Sequence, residues 1–222
     1  MKNFFEKLKT IIYKLKANKG MTYVELIVVL SIFAIMSSVV LFNYGKFQAK
    51  VDINNLANDI ALKIVQAQKD AMSGKWNSDA PTDWKPSYGV YFDRTSPTSF
   101  IYFADLSSAN HWYDQGSGCS LGGECLDNIN ITKGNGISNL QVKDSLSASL
   151  ISENNLSVNF TRPSSGATIS SDGAILENVS YAQITVTSPQ AVSARIKIYT
   201  SGRVEILQGV GQPSAAPNEA VE

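Results

Sequence analysis

The sequence predicts an α+β protein: a long N-terminal helix, membrane-spanning in its N-terminal half, packed on a C-terminal antiparallel β-sheet domain. Two observations carry this. From Met21 to Pro81 there is no proline, and the stretch opens with an apolar run over residues 21–42. From Tyr88 onward the chain turns to short alternating segments rich in β-branched and aromatic residues, separated by Gly, Ser, Asp and Pro.

Residues 1–20 come first and are basic. Lys2, Lys7, Lys9, Lys14, Lys16 and Lys19 face Glu6 alone. Positive charge flanking a spanning helix stays in the cytoplasm, which puts everything after residue 42 outside. Phe4, Leu8, Ile11, Ile12 and Leu15 recur at three- and four-residue steps, a pattern for an amphipathic helix on the inner membrane surface. A cleaved secretory signal is the competing reading, but Ser37, Ser38, Val39 and Val40 run on into apolar sequence and offer no small-residue cleavage site.

Within the apolar run stands Glu25. A carboxylate there costs roughly 2.5 to 3.5 kcal/mol on insertion scales, so it calls for a partner. A cut between Gly20 and Met21 would create an α-amine four residues away, able to neutralise it. A helix from residue 22 to about residue 72 would be ~75 Å long, far beyond the ~30 Å a bilayer needs, so residues 43–72 must dock elsewhere. Ile53, Leu56, Ile60, Ile64, Ala67 and Ala71 form a stripe suited to a sheet, with Lys50, Asp52, Asn58, Asp59, Lys63 and Lys69 on other faces. Gly45, just past the apolar run, weakens the helix by about 1 kcal/mol relative to Ala; it reads either as a tolerated residue or as a joint between the helix halves.

Residues 73–87 read as a loop. Tyr88–Asp93 and Ser99–Ala104 read as a hairpin, followed by strands over 129–132, 137–142, 156–160, 182–187, 194–199 and 203–207 in a meandering antiparallel system. In the last hairpin, turning at Thr200-Ser201-Gly202, Ile196 and Ile198 face inward and Arg195, Lys197 and Tyr199 outward. The β domain is thus expected over 73–207, with residues 208–222 a disordered tail.

Composition narrows the function classes. The chain balances 19 basic and 19 acidic residues, so without its basic leader it is acidic, which argues against nucleic-acid binding. Cys119 and Cys125 bracket a Gly-Gly in an exported chain and read as one small disulfide loop; with the single histidine, His111, they fall short of a zinc ligand set. The sequons at Asn130, Asn155, Asn159 and Asn178 read as an accident of a Ser- and Asn-rich composition. No G-x-S-x-G or Cys/His arrangement is present from which to build a hydrolase. Neither an enzyme nor a cofactor is expected. Trp76, Trp84, Tyr88, His111, Trp112 and Tyr113 lie in or beside predicted loops, where they would either contact a ligand or pack beneath the loops.

The run Gly20-Met21-Thr22-Tyr23-Val24-Glu25-Leu26, with its basic leader and apolar sequel, resembles the processing site of type IV prepilins and pseudopilins. Met at the first mature position and Tyr at the third are departures that pattern tolerates. The resemblance implies cleavage after Gly20 by a membrane prepilin peptidase, N-methylation of Met21, and a role for Glu25 in assembly. It also implies partners: other pilin or pseudopilin subunits, the peptidase and an inner-membrane assembly platform. The order Tyr88–Asp93, Phe100–Asp105, Ser157–Phe160 and Arg195–Ile206 is similar to the strands of H-type minor pseudopilins and FimT-like minor pilins. That implies a structural subunit of a type II secretion pseudopilus or type IV pilus, held in the bacterial inner membrane with its ectodomain outside; the alternative is a pilus-tip adhesin or DNA-uptake minor pilin. Some FimT-like members bind DNA through a basic C-terminal segment, whereas here Arg203 precedes Val204-Glu205 and the chain ends in acid.

Overall fold

A computed structural model describes residues 21–80, 86–106, 111–114, 119, 123–146 and 149–209. The leader with Gly20, Trp84, and residues 210–222 of the expected tail lie outside the described residues. The chain divides into two compact units with the boundary between Tyr44 and Gly45.

The helix α1 runs from Tyr23 to Ser73. Its start is set by Thr22, whose carbonyl accepts the Leu26 N–H (3.1 Å) and whose hydroxyl accepts the Glu25 N–H (3.3 Å). Its end is set by Gly74 at φ 61°, with the Gly74 N–H on the Ala71 carbonyl and the Lys75 N–H on that of Asp70, each 3.0 Å. That pair of bonds is the Schellman closure, which needs a left-handed residue. In the first unit, large apolar side chains such as Leu30, Phe33, Ile35 and Val40 are more than half exposed. Among the described residues α1 is the one helix long and apolar enough to cross a membrane.

In the second unit the helix changes character. Ala49, Ile53, Ala57, Ile60, Ile64, Ala67 and Ala71 are buried at steps of three and four. The expected stripe is present with one change: Leu56 packs at the margin and Ala57 takes the fully buried place, because a small side chain lets the helix backbone approach the strands. Helix and strands share one hydrophobic core.

That core is completed by two antiparallel sheets. The first holds β1 (Ser87–Asp93), β2 (Ser99–Asp105), β3 (Cys125–Asn130), β6 (Asn155–Phe160), β7 (Ala167–Ser171) and β8 (Ala174–Ile175), in the order β3-β2-β1-β6-β7-β8. The second holds β4 (Gly136–Asp144), β5 (Leu150–Glu153), β9 (Val179–Thr187), β10 (Ser193–Tyr199) and β11 (Val204–Gly209), in the order β11-β10-β9-β4-β5. The simple meander expected from the sequence is therefore corrected. After β3 the chain crosses to the second sheet for β4 and β5, returns to set β6 beside β1, and crosses again for β9. Pairing between strands distant in the chain leaves no local mark in a sequence.

Inward-facing residues alternate as pleating requires: Tyr88, Val90 and Phe92 on β1, Leu156, Val158 and Phe160 on β6, and Ala194, Ile196 and Ile198 on β10 are all buried in the shared core. Several boundaries also move: Ser87, expected in a loop, opens β1, and the strand expected over 129–132 runs instead from Cys125 to Asn130. Gln208 and Gly209, expected in a disordered tail, pair with Ala194 and Ser193, and Ser73, expected in a loop, is the last residue of the helix. Strands β5, β7 and β8 were not expected. They are short, five residues or fewer, yet the β7–β8 turn at Asp172-Gly173 takes positive φ at both residues (49° and 77°), the conformation an Asp-Gly pair favours.

Candidate functional site

The residues singled out for processing and assembly fall at the mouth of α1. Met21 precedes the cap, Thr22 is the cap, and Glu25 lies in the first helical turn. Thr22-x-x-Glu25 is the sequence form of a capping box, a local signal for the start of the helix. It gives Glu25 a local reason to be there: a carboxylate in the first turn complements the positive end of the helix dipole. Met21, Tyr23, Val24 and Glu25 are all exposed, so this turn is open to a partner. It carries one acid, a methionine and an apolar flank, and it holds no nucleophile–base pair. Such an arrangement can do association chemistry in an apolar medium. Gly20 lies outside the described residues.

Cys119 and Cys125 are joined in a disulfide with Cα atoms 4.6 Å apart. The next residue back, Glu124, is buried, and its carboxylate accepts the Leu106 N–H (3.1 Å) and the Asp114 N–H (2.7 Å). One side chain thus fastens two points of the excursion between β2 and β3. Burial drives the Glu124 pKa up, Asp114 and Asp105 push the same way, and the two backbone N–H groups only partly offset them.

The aromatic set disperses. Tyr88 is a core residue of β1, 1% exposed, with its hydroxyl on the Lys75 carbonyl (3.0 Å). Trp112 and Tyr113 pack on Tyr91 with ring centroids 5.5 and 5.1 Å apart, and Tyr113 also meets Phe103. Trp76 alone of the described set is largely exposed. The Trp112 and Tyr113 rings pack on the outer face of the first sheet. His111, at φ 52°, sits beside them with Nδ1 3.6 Å from Asp105 Oδ2 and 3.4 Å from Thr161 Oγ1.

On the second sheet's outer face, Arg203 lies over the Tyr199 ring (4.1 Å) and 3.4 Å from Glu205, while Lys197 lies over Tyr181 (4.6 Å). Among the described residues no group of three His, Cys, Asp or Glu is placed to hold a metal ion. Comparison with protein-family models, curated proteins and solved structures finds no match to this chain.

Proposed function

We propose that this chain is a minor pilin or pseudopilin, a non-catalytic structural subunit of a type II secretion pseudopilus or type IV pilus. In this reading prepilin peptidase cuts after Gly20 and Met21 is N-methylated. The subunit waits in the bacterial inner membrane with its β domain outside the cytoplasm, and an assembly platform then draws it into the filament. Glu25 pairs there with the Met21 amine of a neighbouring subunit and sets axial register, while apolar helix faces supply the packing.

The observation that carries the reading is the order of parts along the sequence into one helix. A Gly-Met-Thr-x-x-Glu entry, an apolar span and a second half whose buried stripe joins a β-sheet core follow each other without a break. The disulfide suits an oxidising compartment outside the cytoplasm. Mass spectrometry of the membrane-extracted protein is the test. The mature chain should begin at methylated Met21, and Gly20→Ala should slow or block the cut, since a peptidase that seats the backbone closely leaves no room for a Cβ. A mature N-terminus at any other residue overturns the reading.

A further inference from the structure

On the outer face of the first sheet, a hydroxyl, a carboxylate and a carboxamide from three strands meet out of contact with water. Ser87 opens β1, Asp105 closes β2 directly opposite it, and Asn159 lies on β6 one diagonal away, opposite Gly89. Ser87 is 3% exposed, Asp105 1% and Asn159 0%. Ser87 Oγ donates to Asp105 Oδ2 at 3.1 Å, and Asn159 Nδ2 lies 3.0 Å from Ser87 Oγ and 3.4 Å from Asp105 Oδ2.

We infer that Ser87 and Asn159 become joined by an ester bond that the folded protein forms on itself. Asp105 Oδ2 takes the hydroxyl proton of Ser87 while Oγ attacks Asn159 Cγ, the carbon one bond from the amide nitrogen already in contact. The same carboxylate oxygen then delivers that proton to Nδ2, the C–N bond breaks and ammonia leaves. Hydroxyl and carboxamide become ester and ammonia, Asp105 returns to its starting state, and no oxidant, metal or further reactant is consumed. One oxygen serves as base and then acid because it is within reach of both groups.

Three features favour the step. Strand pairing holds nucleophile and amide together as a near-unimolecular pair. Burial excludes the water that would hydrolyse the product. Asn159 Oδ1 is buried without a hydrogen-bond partner, and such an acceptor is costly to leave unmade; converting the amide to an ester replaces it with a weaker acceptor. His111, 3.6 Å from Asp105 Oδ2, acts as a positioning residue for the carboxylate. The cover is mixed: His111 and the buried Glu124 lie near Asp105, and an aromatic ring lies beside Gly89. Across β1 from Asn159, Phe103 lays its ring against Gly89, where a Cβ would sit 2.7 Å from the ring carbons. The product would tie β1 to β6, neighbours in the middle of the sheet, and close a loop spanning a separation of 72 residues. This inference does not depend on the pilin reading.

The test is the mass of the full chain, extracted in detergent, reduced and denatured. The protein should be lighter by one ammonia than its sequence and N-terminus require, and a proteolytic digest should contain a peptide pair joined through Ser87 and Asn159. Ser87→Ala and Asp105→Asn should restore the full mass, Ser87→Thr should keep the link, and His111→Phe should leave a mixture whose linked fraction grows with time. Wild-type protein of full mass overturns the inference whatever the variants do. Loss of ammonia that persists in Ser87→Ala also overturns it, because a succinimide at Asn159 would give the same mass without the hydroxyl.

Discussion

Glu25 and Asp70 are both acids on α1, and their surroundings set them different tasks. Glu25 is exposed in the first turn, remote in sequence from the β domain, so its removal should spare folding. We expect Glu25→Val to be cut at Gly20 and to accumulate in the membrane, yet to be missing from sheared filaments; entry at the wild-type level would show that Glu25 does not set register. Asp70 sits near the helix end, where burial alone would raise its pKa. The Lys75 ammonium at 2.8 Å and the Tyr102 hydroxyl at 2.6 Å outweigh that and hold it below the usual carboxylate range. A carboxylate depressed in the folded state contributes stability that is complete above its unfolded pKa of about 3.9 and is lost as pH falls through the folded value. Urea midpoints measured across pH should therefore fall below about pH 4. Asp70→Asn should start lower at neutral pH and decline less. An unchanged slope would show that Asp70 is not the group responsible.

At the scale of elements, the second half of α1 is held by its buried stripe far more than by its ion pairs. Ile60 is fully buried in the shared core, so Ile60→Ala should cost about 2 to 5 kcal/mol in denaturant unfolding. Lys63→Ala, which removes a partly exposed pair with Asp127 at 3.0 Å, should cost under about 1 kcal/mol. The reverse ranking would mean that charge pairing and not apolar burial docks the helix. The β10–β11 turn gives a sharper case. Gly202 has φ 86°, a Cβ there would collide with the Ser165 carbonyl and the Gln68 amide, and Gln68 Nε2 donates to Gly202 O at 3.4 Å as well as to Ser165 O at 2.8 Å. Gly202→Ala should destabilise by more than about 1 kcal/mol, with backbone strain and loss of the helix-to-hairpin tie acting together. Gly45→Ala meets open space and should instead stabilise the helix by about 1 kcal/mol.

At the scale of the whole molecule, the disulfide ties Cys119 to the first residue of β3, next to the Tyr113 and Phe103 rings on the outer face of the first sheet. Its loop is short, so reduction should lower stability by roughly 2 to 3 kcal/mol. Alkylation of unreduced protein from the cell exterior should label neither Cys119 nor Cys125; labelling of both would show the pair open in the exported protein.

The sequence by itself determined what depends on neighbours along the chain. The apolar run and absence of proline specify the helix, the three-and-four spacing from Ile53 to Ala71 specifies its buried face, and alternation specifies β1, β2, β6, β9 and β10. The Thr22-x-x-Glu25 cap and the Asp172-Gly173 turn were equally local and could have been read. What only the tertiary structure decided depends on residues far apart. The short strands β5, β7 and β8 gain their place from the strands beside them, and β1 lies next to β6 because the chain leaves the sheet and comes back. The meeting of Ser87, Asp105 and Asn159 follows from that pairing, since a register between distant strands is set by packing of the whole core and is written in no single stretch of sequence.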